Sequence, residues 1–247
     1  TTVLLQLLSN LANDLGDYEN GADHENRKGP ERMVQGGFIA PETMRKAIGM
    51  VAVFSFLSGI VLLVVSHIEW KAFVFYLVIG LLAIWAAIRY TLGKNAYGYR
   101  AMGDLSVFLF FGWVGVIGTY YLQTGEFHPA HLLPASSCSF FAVAVLNINN
   151  IRDIQSDQVA GKRTMAVVLG ERGSRIYHVL LLLGGVITAS LYTWLIGGQW
   201  WFLLVVPLMI FNIYKVMMQN NFSLDPLVRE MALISLFFVL LFGIGVL

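Results

Sequence analysis

The uncharged stretch AIGMVAVFSFLSGIVLLVV, residues 47–65, decides the fold class of this chain. About 20 consecutive apolar residues suffice for a helix to cross the hydrocarbon core of a bilayer. Similar stretches recur, and we predict spans near 44–65, 71–90, 104–122, 132–150, 176–197, 199–218 and 229–247. With 57% hydrophobic and 13% charged residues, the sequence predicts an all-α, polytopic transmembrane helix bundle, a single domain over 1–247. Its expected surroundings are membrane lipid and not nucleic acid.

The basic residues predict which side of the membrane each loop faces. Every Lys and Arg except Lys71 falls in alternate connections between the predicted spans or at the span ends beside them. Positive charge is retained on the cytoplasmic side of a membrane. We therefore expect the loops at about 13–43, 89–104 and 149–174 to face the cytoplasm.

Two acidic motifs of the same form lie at the edges of apolar segments. Each is Asn-x-x-x-Asp followed by a later carboxylate, and the six residues are Asn13, Asp17 and Asp23, then Asn149, Asp153 and Asp157. Positions i and i+4 share one face of a helix. Two such clusters facing each other would make an all-oxygen site suited to Mg²⁺ holding a diphosphate, and carboxylates beside a membrane core are functional by default. Asp14 lies off the Asp17 face, where it either supports the ligands or is solvated.

A basic, glycine-containing stretch follows each acidic motif, so the chain resembles a duplicated unit. The first stretch contains Arg32, and the second motif and its stretch contain Arg152 and Lys162. Lys and Arg bind phosphate oxygens directly, while carboxylates bind the metal. We predict that these three cations contact a diphosphate.

A third element, YTLGKNAYGYRAMGD at residues 90–104, lies between the two motifs. It brings Tyr90, Lys94, Tyr97 and Asp104 to one predicted cytoplasmic turn. Lys94 would bind phosphate, and aromatic faces stabilise a nearby cation. The alternative is an interfacial loop anchored by aromatic residues.

Together these elements resemble the UbiA superfamily of intramembrane aromatic prenyltransferases, which carries two Asp-rich motifs and a Tyr-x-x-x-Lys element in this order. Within it, SNLAND (9–14), YGY (97–99), FGW (111–113) and LNINN (146–150) resemble the branch that prenylates 1,4-dihydroxy-2-naphthoate. Gly21 stands where the superfamily often has a second Asp. The resemblance implies a bundle of nine helices. Only residues 1–12 precede the first motif, so we expect the first helix and part of the second to be absent from this sequence.

The resemblance also implies a reaction and a set of site residues. A polyprenyl diphosphate would transfer its prenyl group to 1,4-dihydroxy-2-naphthoate with Mg²⁺ as cofactor, releasing CO₂ and giving demethylmenaquinol. The enzyme would lie in a bacterial cytoplasmic membrane with its site facing the cytoplasm. The residues assigned to catalysis are Asp17, Asp153, Tyr90 and Lys94. Those assigned to substrate binding are Arg32, Lys94, Tyr97, Asp104, Arg152 and Lys162.

Three alternatives stay open from the residues alone. A related prenyltransferase could act on another aromatic acceptor, such as 4-hydroxybenzoate. A transporter would also carry charges in a helical bundle, but its site is expected near the midplane, in helices interrupted by Gly or Pro. A CDP-alcohol phosphotransferase would require its own Asp-Gly spacing, which the sequence lacks.

Overall fold

The structure, a computed structural model, describes residues 1–22, 32–220 and 223–246. Within these ranges the chain is mainly α-helical. The α-helices are α1 (Thr2–Glu19), α2 (Pro41–Val65), α3 (Trp70–Arg89), α4 (Gly103–Val107), α5 (Gly118–Thr124), α6 (Leu132–Arg152), α7 (Ile154–Val159), α8 (Met165–Ile196), α9 (Val206–Met218) and α10 (Asp225–Val246). A π-helix, Phe108–Ile117, joins α4 to α5, and 3₁₀ turns occur at Tyr97–Tyr99, Pro129–His131 and Trp201–Val205.

Seven helical segments of the described chain are long and apolar enough to cross a membrane, which confirms the predicted spans. They are Pro41–Val65, Trp70–Arg89, Gly103–Thr124, Pro129–Arg152, Met165–Ile196, Trp201–Met218 and Asp225–Val246. The largest difference is in α8, which begins well before the predicted residue 176, although Gly170 at φ +69° interrupts it. On α2, Val53, Phe54 and Val61 expose more than half of their surface, as lipid-facing side chains do.

The described chain separates into two compact units, each with its own hydrophobic core. Unit 1 comprises Thr1–Gly103, Tyr120–Gly125 and Gln155–Thr164. In α1, the buried Leu8, Ala12 and Leu15 are spaced four and three residues apart, so they form one helix face. That face belongs to the same core as Met44 and Ile48, which lie one turn apart on α2.

Unit 2 comprises Asp104–Thr119, Glu126–Ile154 and Met165–Leu247. Its helices approach closely at glycines, as is usual in membranes. A Cβ on Gly185 of α8 would lie 2.7 Å from the Phe141 ring of α6, and one on Gly112 would lie 1.5 Å from Ser139 Oγ. Gly112 is the centre of the FGW motif and lies in the π-helix, so the motif is a packing site of this unit.

Candidate functional site

Asp17 lies at the centre of a charged cluster in unit 1, near the end of α1. The residue is 4% exposed. It accepts hydrogen bonds from Lys162 Nζ at 3.0 and 3.1 Å and from the Tyr99 hydroxyl at 2.9 Å. Arg32 Nη2 lies 3.3 Å from Asp17 Oδ2, whereas the Tyr99 hydroxyl donates to Oδ1. Three predicted site residues, Asp17, Arg32 and Lys162, are therefore brought together by segments far apart in sequence.

The loop after α3 reaches α1 because Gly16 leaves room for it. A Cβ on Gly16 would lie 2.5 Å from Thr91 Oγ1. The buried Thr91 hydroxyl donates to the Ala12 carbonyl at 2.9 Å and lies 3.2 Å from Asn13 Oδ1. Asn20 Nδ2 donates to the Thr91 carbonyl at 2.8 Å. This local network fixes the end of α1 that carries Asp17.

Lys162 lies between carboxylates of both acidic motifs. Its Nζ is 4.0 Å from Asp157 Oδ1 in addition to its contact with Asp17, and it lies 5.3 Å from the centre of the Tyr99 ring. Burial alone lowers the pKa of Lys162, but the charges of Asp17 and Asp157 and the nearby Tyr90 outweigh it, so the pKa is raised above its ordinary value. Lys162 is therefore an ammonium ion at neutral pH.

The backbone around Lys162 is joined to the 97–101 segment of the same unit. The Ala101 amide donates to the Arg163 carbonyl at 2.6 Å, and the Arg163 amide donates to the Tyr99 carbonyl at 3.3 Å. The Lys162 amide donates to the Asp157 carbonyl at 2.8 Å, and Gly161 takes φ +69° just before it. Tyr99 and Lys162 consequently approach Asp17 as one assembly.

The second motif forms a separate ion-pair group in unit 2. Arg152, the last residue of α6, donates from Nε and Nη2 to the two oxygens of Asp153 at 2.8 and 2.7 Å. Its Nη1 donates to Asp225 Oδ1 at the start of α10. Arg152 is 4% exposed in its side chain, so the guanidinium is buried among these carboxylates. Asp225 was not identified from the sequence, because it belongs to no motif.

Asp104 of unit 2 is also buried, and its carboxyl group hydrogen-bonds to Tyr177 of α8. Its Oδ2 has no hydrogen-bond partner among the described residues. Asn147, in the LNINN motif, donates to the Ser174 carbonyl at 2.9 Å, and its Oδ1 likewise has no partner in the described part of the chain. Asp104 and Asn147 therefore each place an oxygen atom without a hydrogen-bond partner from the described residues in the interior of unit 2.

The structure gives different surroundings to the remaining predicted residues. Tyr97 donates to the Ala86 carbonyl at 2.8 Å, and its ring meets the Tyr90 ring edge-on at 5.5 Å. Lys94 is exposed and forms no ion pair or hydrogen bond with described residues. Asn149 is half-buried, and its carbonyl accepts the Asp153 amide at 3.1 Å. Asp23 lies outside the described residues.

Two residues near Asp17 have roles that differ from the prediction or were absent from it. Solvation of Asp14 was a wrong alternative, because Asp14 is buried and accepts the backbone amides of Met33 and Val34 at 3.0 and 3.1 Å. Asp14 thus anchors the chain just after Arg32. Tyr99 belongs to the 90–104 element and to its YGY motif, but the sequence assigns it no role of its own. Its proximity to Asp17 could not be read from spacing, although a tyrosine in a conspicuously polar loop was the available signal.

Comparison with known proteins identifies the family to which the chain belongs. The model of the UbiA prenyltransferase family matches residues 1–243. This chain belongs to that family. It is 42% identical to the 1,4-dihydroxy-2-naphthoate octaprenyltransferase of Escherichia coli strain K12 over 100% of this chain and 81% of that protein. It is 41% identical to the Haemophilus influenzae protein of the same name, over 100% of this chain and 82% of that protein.

The UbiA prenyltransferase family also includes a more distant animal relative. The chain is 29% identical to UbiA prenyltransferase domain-containing protein 1 of Gallus gallus, over 95% of this chain and 69% of that protein. No solved structure matches the chain.

UbiA-family prenyltransferases generally depend on a divalent metal. Within the described residues no group of three or more His, Cys, Asp or Glu side chains could hold a metal ion by itself. Mg²⁺ is usually held by one or two carboxylates together with substrate phosphates. Asp17 and Asp157, which share one cation in Lys162, have the oxygen chemistry for that mode. The donor set therefore fits a metal that arrives with a diphosphate.

Proposed function

We propose that this protein transfers a polyprenyl group from a polyprenyl diphosphate to 1,4-dihydroxy-2-naphthoate. The names of the two bacterial relatives support the acceptor. The single observation that carries the chemistry is the buried Asp17 carboxylate with Lys162, Arg32 and Tyr99 around it. Such a set can bind a metal through the carboxylate and phosphate oxygens through the cations.

In this proposal Lys162 and Arg32 exchange part of their contact with Asp17 for contact with the diphosphate. Both already lie within 3.3 Å of the Asp17 oxygens, so small movements would free donors for phosphate. Asp17 and Asp157 would hold the Mg²⁺. For Asp153, Asn13, Asn149 and Asp23, a role as metal ligands remains a prediction from the two acidic motifs. When bound, Mg²⁺ would neutralise charge on the leaving diphosphate. The catalytic and substrate-binding roles of Tyr90, Lys94, Tyr97, Asp104 and Arg152 remain predictions.

The proposed reaction joins the prenyl chain to a ring carbon and releases diphosphate and CO₂. The allylic C–O bond of the polyprenyl diphosphate breaks, and its electron pair leaves with the diphosphate. The ring carbon that bears the carboxylate forms the new C–C bond, and the carboxylate leaves as CO₂, returning its electron pair to the ring. The product is demethylmenaquinol. The cations beside Asp17 stabilise the negative charge that develops on the diphosphate.

We further propose a location for this chemistry. The basic residues of the alternate loops support a cytoplasmic side for the segments at about 13–43, 89–104 and 149–174. The protein would be one transmembrane domain of a bacterial cytoplasmic membrane. Asp17 lies near the end of a helix and not at its middle, which favours an interfacial enzyme over a transporter with a midplane site.

The acceptor is tested with purified protein, a long polyprenyl diphosphate and a panel of aromatic acids. With 1,4-dihydroxy-2-naphthoate, CO₂ and diphosphate should be released in equal amounts, because prenylation occurs at the carbon that bears the carboxylate. 4-Hydroxybenzoate should be a poor acceptor, since its smaller ring leaves polar groups of the pocket unpaired. Efficient prenylation of 4-hydroxybenzoate with retention of its carboxylate would overturn the choice of acceptor and leave the diphosphate chemistry standing.

A further inference from the structure

We propose that Asp225 is a positioning residue that holds the Arg152 guanidinium beside Asp153 and thereby sets the affinity for the diphosphate. The proposal rests on the proposed function, in which Asp153 and Arg152 belong to the metal and diphosphate machinery. It adds a residue from the last helix, α10, which carries neither of the acidic motifs.

The geometry of Arg152 carries this inference. Asp153 accepts two short hydrogen bonds from Nε and Nη2 of the guanidinium, and Asp225 accepts one from Nη1. These contacts use three of the five N–H donors that an arginine has. A two-bond contact with one carboxylate fixes the plane of the guanidinium. The third bond, to Asp225, fixes it independently of Asp153.

That independence matters once Asp153 binds the metal. If the Asp153 oxygens turn to Mg²⁺, Arg152 loses two of its three hydrogen bonds. A buried cation that loses its partner is strongly destabilised, and the Arg152 side chain is 4% exposed. Asp225 keeps a counter-charge on Arg152 in that state, and the released N–H donors become available to bind phosphate oxygens. Asp225 is 42% exposed, so it can adjust to either arrangement.

A simpler role for Asp225 would be to stabilise the start of α10. A carboxylate near a helix N-terminus is favourable by itself. Asp225→Asn removes this charge as well as the one that Arg152 requires, so the effect at the helix end is expected only as a modest loss of thermal stability. A residue acting only at the helix end would affect thermal stability and leave diphosphate binding unchanged.

The test compares Asp225→Asn with Glu171→Gln, a matched control. Glu171 pairs with Arg175 at 3.0 Å in the same unit, and neither residue belongs to the proposed machinery. Two quantities are measured on the detergent-purified protein. One is KM and kcat for polyprenyl diphosphate. The other, which needs no turnover, is the thermal stabilisation by Mg²⁺ with inorganic pyrophosphate. Both quantities are also measured for Asp225→Asn introduced into the Arg152→Lys protein.

We expect Asp225→Asn to raise KM, and the pyrophosphate concentration for half-maximal stabilisation, by about tenfold, because a half-exposed partner of a buried charge is removed. The change in kcat should be smaller, and Glu171→Gln should change neither value by more than about twofold. In the Arg152→Lys background the effect of Asp225→Asn should largely disappear, because the two residues act as a pair.

Two results would overturn the assignment of Asp225. One is an unchanged KM and unchanged stabilisation by pyrophosphate in Asp225→Asn, whether or not the melting temperature falls. The other is an undiminished effect in the Arg152→Lys background. Failure of the proposed function looks different, since the unmodified protein would then neither turn over nor be stabilised by Mg²⁺ with pyrophosphate.

Discussion

Replacing Lys162 with Met tests the centre of the proposed site most directly. Met has a similar length and volume but no charge, so it can occupy the buried position without a large cavity. The change removes the ammonium that lies 3.0 Å from Asp17 and 4.0 Å from Asp157. It leaves Tyr99 and Arg32 in contact with Asp17, at 2.9 and 3.3 Å.

The magnitude follows from these distances. Two unit charges 3 Å apart interact by roughly 5 kcal/mol at an effective dielectric constant of about 20. Desolvation offsets much of this, and removal of one partner from a buried pair costs about 3–5 kcal/mol in measured cases. Because Arg32 and Tyr99 still hold Asp17, we expect the lower end of that range for stability. For turnover, loss of one preorganised donor costs about 100-fold to 1,000-fold.

The assay is prenyl transfer by the purified protein, with thermal melting recorded in parallel. The control is Lys46→Met, which removes an exposed lysine from α2 in the same unit. We expect Lys162→Met to lose at least about 100-fold in kcat/KM while remaining folded, and Lys46→Met to remain near the unmodified protein. Turnover within about threefold of normal in a folded Lys162→Met protein would refute the reasoning, because the cluster would then be a structural ion pair.

Three further changes test the charge of Lys162, the packing at Gly16 and the membrane topology. Asp17→Asn should lower the pKa of Lys162, because it removes the negative charge of Asp17, which raises that pKa against the effect of burial. In the unmodified protein, the charged Lys162 contributes to stability until the pH rises through its raised pKa. In Asp17→Asn this contribution should be lost at a lower alkaline pH, as measured by thermal melting across pH. An unchanged dependence of melting temperature on pH would contradict this. Gly16→Ala should destabilise the protein by about 1–3 kcal/mol, since the new Cβ would lie 2.5 Å from Thr91; an unchanged melting temperature would be the opposite result. A cysteine at Glu126 should react only from the outer face in intact cells, and labelling from the cytoplasm alone would invert the topology.

Much of the site was predictable as a set of residues but not as a set of contacts. The spacing of the first motif identified Asp17, and the basic stretch after the second identified Lys162. Their direct contact, together with Tyr99, depends on how the 97–101 and 161–164 segments hydrogen-bond to each other. Such long-range backbone pairing has no periodic signature in the sequence, so spacing could not reveal it.

Asp14 and Asp225 illustrate two other limits of sequence reasoning. Asp14 and Asp17 are three residues apart on α1 and therefore lie close together on its surface, and the spacing could not show that the backbone amides of Met33 and Val34 would bind Asp14. Asp225 resembles any acidic residue at the start of a helix. Its contact with Arg152 becomes visible only when α6 and α10 are packed, because the partner lies far away in the chain.

By itself, the sequence determined the transmembrane helices, because the period and length of apolar residues suffice for insertion into a bilayer. It also determined the family, since the model of the UbiA prenyltransferase family matches residues 1–243 of the sequence. Only the tertiary structure decided which charges meet. Pairing of a buried carboxylate with an ammonium depends on distances of a few ångströms, and these are set by close approaches such as that of Gly16 to Thr91, which depend on the packed chain as a whole.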